Sequence, residues 1–565
     1  MKSLKKDNFR WKIGYTAAVG GLLGAILFFC IYGFAVVVPT YDDWLWADNG
    51  DMTQHYVGWQ FFRRSDWHFP LGMTDGLKNE AVSCMYTDSI PLFALFFKLL
   101  SPLLPETFQY IGLWGLFSFT AQGALAAVLL SRFSRSPLFC VIGSVFYVVS
   151  PVVLQRMFTH EALAGHWIIL WSFILWAYCD HEWKFRATPV ILWTLNSVTA
   201  VLVHSYFVPM VYLVLMGYVI TDVWSRKKLL RSAACVIFAT VFTLLTLFCI
   251  GAFEGERSIS GAGLGVYSAN LNSLFNSMGV SKFLTPMNTD QGQYEGFGYL
   301  GLGMIFAAFL AAAALIRSFE KDGTGFIRSA ASAVRRNRQY IAAFAAVAAI
   351  GIFVAVSPVC KLNARTLYTI EYPASIQSLL SIFRASGRFI WVTDYLVYTA
   401  VFALLAKLEG KRTAVIALTL CLGVQLLDLR DNMRTKHDIF AEKVEYTSPL
   451  SDPAWDKLAE SSSEIIFLPL YENYLGNTTM YFSFAKYACD NNMTLSSFYL
   501  ARASYENMAE YAAEKLELLK SGNGSPEALY IFTDENEIPD RADVEIYRIN
   551  GYTAAKFIAE QSAGN

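Results

Sequence analysis

Apolar runs near the length of a membrane crossing recur along the first three-quarters of the chain and limit its fold more than any other feature. They lie near 13–38, 107–131, 137–152, 162–180, 188–203, 205–223, 230–252, 297–317, 339–357, 389–407 and 412–428, eleven in all. A spanning helix needs roughly 20 mostly apolar residues. Only 16% of the 565 residues are charged, against about a quarter in a typical soluble domain. The reading is a polytopic α-helical membrane protein with about eleven transmembrane helices. Ser89–Leu104 is short, carries Lys98 and is bounded by Pro91, Pro102 and Pro105, so it is expected as an interfacial or re-entrant helix.

Charge orients the runs. With the N-terminus inside, the short connectors hold Arg132 and Arg135, Lys184 and Arg186, Arg226 to Arg231, Arg317 to Arg338, and Lys407 to Arg412. With the N-terminal segment they gather 22 of the 33 basic residues of 1–428. That is the positive-inside pattern; a twelfth span at Ser89–Leu104 would invert every later loop. The basic N-terminus followed by an apolar run resembles a signal peptide. The run is too long for one and no small-residue cleavage site follows, so it is expected as an uncleaved first helix.

The net charge of −1 conceals a division. Residues 429–565 carry 12 Lys/Arg against 22 Asp/Glu, and residues 1–428 carry 33 against 24. The expected domains are therefore a membrane part, 1–428, with a long first external loop at 39–106, and an acidic extracytoplasmic tail, 429–565. The tail reads as a small α/β domain. Its expected strands are Glu464–Leu470, Ala528–Phe532, Val544–Ile549 and Tyr552–Phe557, with an amphipathic helix at Tyr505–Lys520 and a hairpin turn at Asn550-Gly551. Neither part has the basic aromatic patch of a nucleic-acid binder. The nine cysteines show no metal-binding spacing; Cys84, Cys360 and Cys489 would face outside, where a Cys84–Cys360 bridge is open but not expected. Asn477 and Asn492 begin glycosylation-type triplets, which arise by chance.

The stretch Tyr41–Tyr56 (YDDWLWADNGDMTQHY) follows the first run and packs Asp42, Asp43, Asp48 and Asp51 among aromatics at a membrane exit. Ionisable groups near hydrocarbon are costly and mark functional sites. Asp51 to Arg63 reads as a surface helix with Asp51, His55, Trp59 and Phe62 on one face. An acid and an imidazole one turn apart can share a proton or hold a divalent metal; the structural alternative is an N-cap aspartate. Asp42 and Asp43 read first as solvated anchors, flanked by Trp44 and Trp46 in an aromatic belt. A second constellation, Gln155 to Glu161, places His160 and Glu161 in a short external loop as a metal, proton or sugar-hydroxyl site, or as helix caps. His204 lies at a tight turn on the same face. Arg384 and Arg388, four apart, are expected to form a fork for phosphate or carboxylate oxygens, with Lys361, Arg365, Tyr294 or Glu295 completing a pocket. Midspan regions read as nearly free of ionisable residues. No phosphate loop, GxSxG or HExxH is present.

On these residues the chain resembles the GT-C superfamily of polytopic membrane glycosyltransferases, through the long first loop with Asp51-Met52-Thr53-Gln54-His55-Tyr56. It is also similar to the YfhO-like bacterial integral membrane proteins, through Gly50-Asp51, Gln54, Tyr56 and the arginines around Phe383–Phe389. The resemblance implies transfer of a sugar from a polyprenyl-phosphate-type donor to a glycan, lipid or protein acceptor on the outer face of a bacterial inner membrane. Asp51 would be the general base, with Arg384 or Arg388 offsetting charge on the leaving phosphate. His55, His160 and Glu161 would orient the sugar or, with Asp51, ligate a divalent metal. Asp43, Gln54, Tyr56 and His204 are further candidates for substrate contact. Asp42-Asp43 is an alternative acidic pair. The Trp-Trp-Asp signature of oligosaccharyltransferases is absent. A flippase or transporter of a lipid-linked sugar, and a non-catalytic cell-envelope assembly protein, are the rival readings.

Overall fold

The protein is described from a computed structural model covering residues 2–78, 82–181, 185–226, 228–255, 263–321, 326–407, 411–470, 478–500 and 505–558. Lys184, Lys227 and Asn477 of the sequence reading lie outside the described residues. The chain is mostly helical, and each apolar run forms helix. Among the described residues seven helices are long and apolar enough to cross a membrane: Lys12–Tyr32, Ile111–Leu130, Phe207–Trp224, Leu229–Cys249, Leu302–Glu320, Arg338–Val356 and Ser386–Leu405. Arg412–Asp428 and Arg430–Phe440, bent by 54°, make an eighth if counted as one span. The runs at 137–152, 162–180 and 188–203 give only the shorter apolar helices Pro137–Val148, Glu161–Ala177 and Thr188–Val203. At about 1.5 Å per residue these fall short of a hydrocarbon core of about 30 Å. Seven to eight apolar spans are consistent with a multi-pass membrane protein.

Two units divide the chain, and their boundaries differ from the expected split at 428/429. The helical unit comprises 1–38, 111–244 and 259–442. The other comprises the first loop 39–110, a short segment 245–258 and the tail from Lys443. In the helical unit the first helix approaches Ile111–Leu130 through glycines. A Cβ added at Gly20 would sit 2.5 Å from the Gly123 carbonyl, and one at Gly24 would strike the Phe119 carbonyl. Small residues permit such contact where no hydrophobic effect drives helices together. Asp394 is an ionisable residue that stands midspan, within Ser386–Leu405, and is 5% exposed.

The first loop belongs with the tail because its polar groups are satisfied there. The Asn49 amide donates to Thr478 and Thr479 Oγ1 at 3.0 and 2.8 Å, and Gln54 Nε2 donates to the Tyr499 carbonyl at 2.8 Å. Leu495 exchanges backbone hydrogen bonds with Gly76 and Lys78, 2.9 and 3.2 Å. Phe61 packs on Phe498 with ring centroids 4.9 Å apart. Charge composition could separate the acidic tail, but not this pairing of segments more than 400 residues apart.

The tail sheet has strands Thr494–Leu495, Glu464–Leu468, Ala528–Phe532, Tyr552–Phe557 and Val544–Ile549 in that spatial order. The first three run parallel and the last two antiparallel to their neighbours. The hairpin turns at Asn550 and Gly551, with φ of 50° and 80°. Two consecutive positive φ values are what a two-residue turn of the I′ type demands. Helix Tyr505–Lys520 has the expected limits. Pro91–Leu100, continued by Ser101–Leu103, is the short helix expected after Ser89. Cys84 and Cys360 are free thiols.

Candidate functional site

The loop-and-tail unit carries the first group of residues. Helix Asp43–Asp48 ends at Asn49, whose left-handed backbone (φ 54°) suits Asn. Asp48 Oδ2 then accepts from Met52 N at 3.2 Å, capping the helix Asp51–Arg64. Asp51 is the first helical residue and Gly50 the N-cap, so the N-cap role considered for Asp51 is not its own. Asp51 itself is exposed, whereas every residue from Met52 to Phe62 is buried. The expected surface helix with acid, imidazole and aromatics on one face is therefore a core helix whose acid lies outside the packed segment.

His55, 1% exposed, meets a different acid. One of its ring nitrogens and a carboxylate oxygen of Asp88 lie within 4.8 Å. Asp88 has φ 52° and Ile90 φ 51°, in a turn held by Thr87 Oγ1 donating to the Cys84 carbonyl (3.1 Å) and Ser89 Oγ donating to the His55 carbonyl (2.9 Å). Tyr110 also donates to the Ser89 carbonyl. Left-handed backbone at non-glycine residues persists where the surroundings over-determine it, and it clusters at functional sites. The sequence reading passed over Asp88; its signal was only a Thr-Asp-Ser turn ahead of Pro91.

Beside the same helix is a cavity of about 370 Å³. Its carboxylates are Asp42, Asp43, Glu106 and Asp490, and its cations Arg64 and Lys486. Trp46, Tyr56 and Tyr446 supply aromatic walls, and Gln60 an amide. Asp42 Oδ2 accepts from Trp46 Nε1 (2.9 Å) and from the Tyr56 hydroxyl (2.8 Å). Asp43 Oδ1 accepts from Tyr446 N at 3.4 Å. Lys486 pairs with Asp490 at 2.7 Å and stands 5.2 Å from the Trp46 ring. Burial, and then the Asp42 charge, push the Tyr56 phenol well above its ordinary range, so Tyr56 acts as a donor. Gln54, on the same helix, is engaged with Tyr499 and does not line the cavity. Carboxylates, an amide and aromatic faces around one polar cavity can grip a polyhydroxylated ligand by hydrogen bonds and ring stacking.

The helical unit holds the remaining predicted residues. His160 precedes the 3-10 helix Glu161–Ala164, and its ring meets that of His204 edge-on with centroids 5.4 Å apart. His204 Nδ1 accepts from Tyr206 N at 3.2 Å. Glu161, expected in a short external loop close to the membrane surface, is completely buried, and its carbonyl accepts from Trp114 Nε1 at 2.8 Å.

Arg384 and Arg388 do not share a helical face. Arg384 is exposed, and the chain turns at Ala385 before the 3-10 helix Ser386–Phe389. Arg388 is buried against Glu295, with Nε to Oε2 at 2.8 Å and Nη2 to Oε1 at 3.0 Å. Arg156 Nη2 donates to the same Oε2 at 2.6 Å. The fork expected for an external anion is occupied by Glu295. Burial alone would raise the Glu295 carboxyl, but Arg388 and then Arg156 hold it well below the ordinary carboxylate range. Arg156 was given no role by sequence; its signal was a cation on the face where the positive-inside rule does not call for one. Lys361 pairs with Asp290, and Arg365 is exposed.

A family profile described as Domain of unknown function (DUF6311) matches residues 21–430, and one described as DUF6311 C-terminal domain matches residues 454–557. No curated protein matches the sequence.

Proposed function

We propose, for this chain as a member of the DUF6311 family to which it belongs, a membrane glycosyltransferase of GT-C-like architecture. In this reading about eleven helices cross or enter a bacterial inner membrane, the N-terminus is inside, and the tail is extracytoplasmic. The enzyme transfers a sugar from a polyprenyl-phosphate-type donor to a glycan, lipid or protein acceptor. The observation that carries the reading is the carboxylate-and-aromatic cavity, which the loop after the first apolar helix and the tail build together.

The chemistry assigns roles within that cavity. Asp42, held by two donors on one oxygen, is a fixed carboxylate that orients sugar hydroxyls. Asp43, with a single long contact from Tyr446 N, is the better general base and replaces Asp51 in that role. The acceptor oxygen attacks the anomeric carbon while Asp43 takes its proton. The bond from that carbon to the phosphate oxygen breaks, and the phosphate leaves with the electron pair. Arg64 offsets the charge that develops on it. A divalent ion, the cofactor the resemblance allows, fits His55 and Asp88 better than Asp51. When bound it would supply Lewis-acid assistance to a phosphate oxygen. His160 and Glu161 stay as candidates for orienting the sugar or holding the ion, and His204 for substrate contact.

The test uses the full chain in liposomes with radiolabelled polyprenyl-phosphate sugars. Asp43→Asn is expected to lose transfer while Asp51→Asn keeps it. Equal transfer by wild type and Asp43→Asn removes Asp43 from the mechanism. Transbilayer flux of the donor without transfer favours a lipid-linked sugar transporter, the reading that the buried Asp394 supports.

A further inference from the structure

The helical unit holds a cluster that the proposed transfer does not use. On Ile390–Leu405, Trp391, Asp394, Tyr395 and Tyr398 fall at spacings of three, four and seven and so share one face. Asp394 is 5% exposed, and neither of its carboxylate oxygens has a hydrogen-bond partner among the described residues. Gly298 makes room for it: a Cβ there would lie 3.2 and 3.3 Å from the two oxygens. The His166 imidazole, fully buried, packs on Trp391 and Tyr395 with centroids 4.7 and 5.7 Å away. Neither of its ring nitrogens has a hydrogen-bond partner among the described residues either.

Among the described residues no fixed charge pairs with the carboxylate. Of the helices packed against this one, Ile111–Leu130 and Trp167–Ala177 carry no titratable residue. Leu302–Lys321 carries charge only from Arg317 onward, and Arg338–Val356 only at Arg338, with Tyr340 one turn in. Phe207–Arg226 has Tyr212 and Tyr218 along its length, Asp222, which pairs with Arg231, and Arg226 at its end. Arg388, just before the helix, is committed to Glu295. The other titratable groups near this face are Tyr299, His166, Tyr147, whose ring lies 5.1 Å from that of Tyr398, and Arg156, whose guanidinium stands 5.3 Å from the Trp391 ring and is paired with Glu295. Apart from Arg156 these are phenols and an imidazole, which carry no fixed charge. An isolated ionised carboxylate in such surroundings is untenable unless a cation joins it.

We propose that Asp394 is the binding site of a small monovalent cation, a proton or Na⁺, within the membrane-spanning part of the protein, with His166 and the tyrosine hydroxyls as neutral polar neighbours. The site is separate from the sugar cavity and does not depend on the glycosyltransferase reading.

N,N′-dicyclohexylcarbodiimide tests it on the full chain in detergent or liposomes. The carboxyl O–H adds across the carbodiimide, oxygen to carbon and proton to nitrogen, and the adduct rearranges to a stable N-acylurea that peptide mass spectrometry locates. Modification is expected at Asp394 and is absent from Asp394→Asn. A proton site shows labelling that falls several-fold from mildly acidic to alkaline buffer and ignores Na⁺. A sodium site shows labelling suppressed by Na⁺ but not by the same concentration of choline. Gly298→Ala, which crowds the carboxylate, is expected to blunt either response while thermal unfolding reports whether the fold persists. No labelling of Asp394 in wild type, or labelling indifferent to both pH and Na⁺, overturns the proposal.

Discussion

The Tyr56 hydroxyl donates to Asp42 Oδ2 at 2.8 Å, joining a wholly buried ring on the helix Asp51–Arg64 to the acid that opens the first loop. Trp46 Nε1 donates to the same oxygen. Two donors on one oxygen hold the carboxylate in a single orientation at the cavity wall.

Tyr56→Phe keeps the ring and removes one donor. A hydrogen bond to a charged acceptor contributes about 1.5–3 kcal/mol, so the variant should be destabilised by about 1–2 kcal/mol, read by chemical denaturation. Saccharide affinity, read by Trp46 fluorescence, should fall as well. A loss of stability with unchanged affinity would show that Asp42 does not face the ligand.

Glu295→Gln removes the carboxylate that the buried Arg388 and Arg156 guanidiniums share. Removing one partner of a buried ion pair costs about 3–5 kcal/mol, and a loss of that size is expected at neutral pH. The sign of the pH dependence follows from the lowered native-state value. Below the ordinary carboxylate value of 4.5 the unfolded chain takes up a proton that the native carboxylate refuses, so stability declines with falling pH. Above that value the contribution is complete. The variant should lose this acid-side slope, which stability measured across the acid range will test.

Asp88→Gly separates strain from function. Glycine adopts φ near 52° without a Cβ penalty, so stability should hold or rise by up to about 1 kcal/mol. The acid facing His55 is lost, and Mn²⁺ binding, followed by electron paramagnetic resonance, should weaken at least tenfold. Unchanged Mn²⁺ binding would remove Asp88 from the ligand set.

Gly20→Val tests the close approach of the first helix to Ile111–Leu130. Its branched side chain meets the Gly123 carbonyl, where even a Cβ would lie 2.5 Å away. Overpacking of this kind costs about 1–3 kcal/mol. A lower melting temperature is expected, with the tail domain's protease resistance unchanged.

Local chemistry made much of this protein legible from sequence. Apolar runs became helices because a helix satisfies its own backbone in hydrocarbon. Asn550-Gly551 became a hairpin because two positive φ values favour that dipeptide. Helix Tyr505–Lys520 followed from its amphipathic period. The acids and aromatics of Tyr41–Tyr56 stood out because few charges surround them.

Partnership across long sequence separations was decided only in the tertiary structure. Spacing suggested that Arg384 joined Arg388; packing instead sets Glu295 against Arg388 and Arg156, and it also brings Asp88 near His55. A turn or a single 3-10 step redirects a side chain without leaving a periodic trace. The first loop's membership of the tail unit likewise rests on hydrogen bonds such as Gln54 to Tyr499, which no local pattern encodes. Sequence alone determined which segments are apolar, helical or acidic. The fold decided which charges meet, because the cost of burying a charge is offset by whichever partner the packing brings within reach.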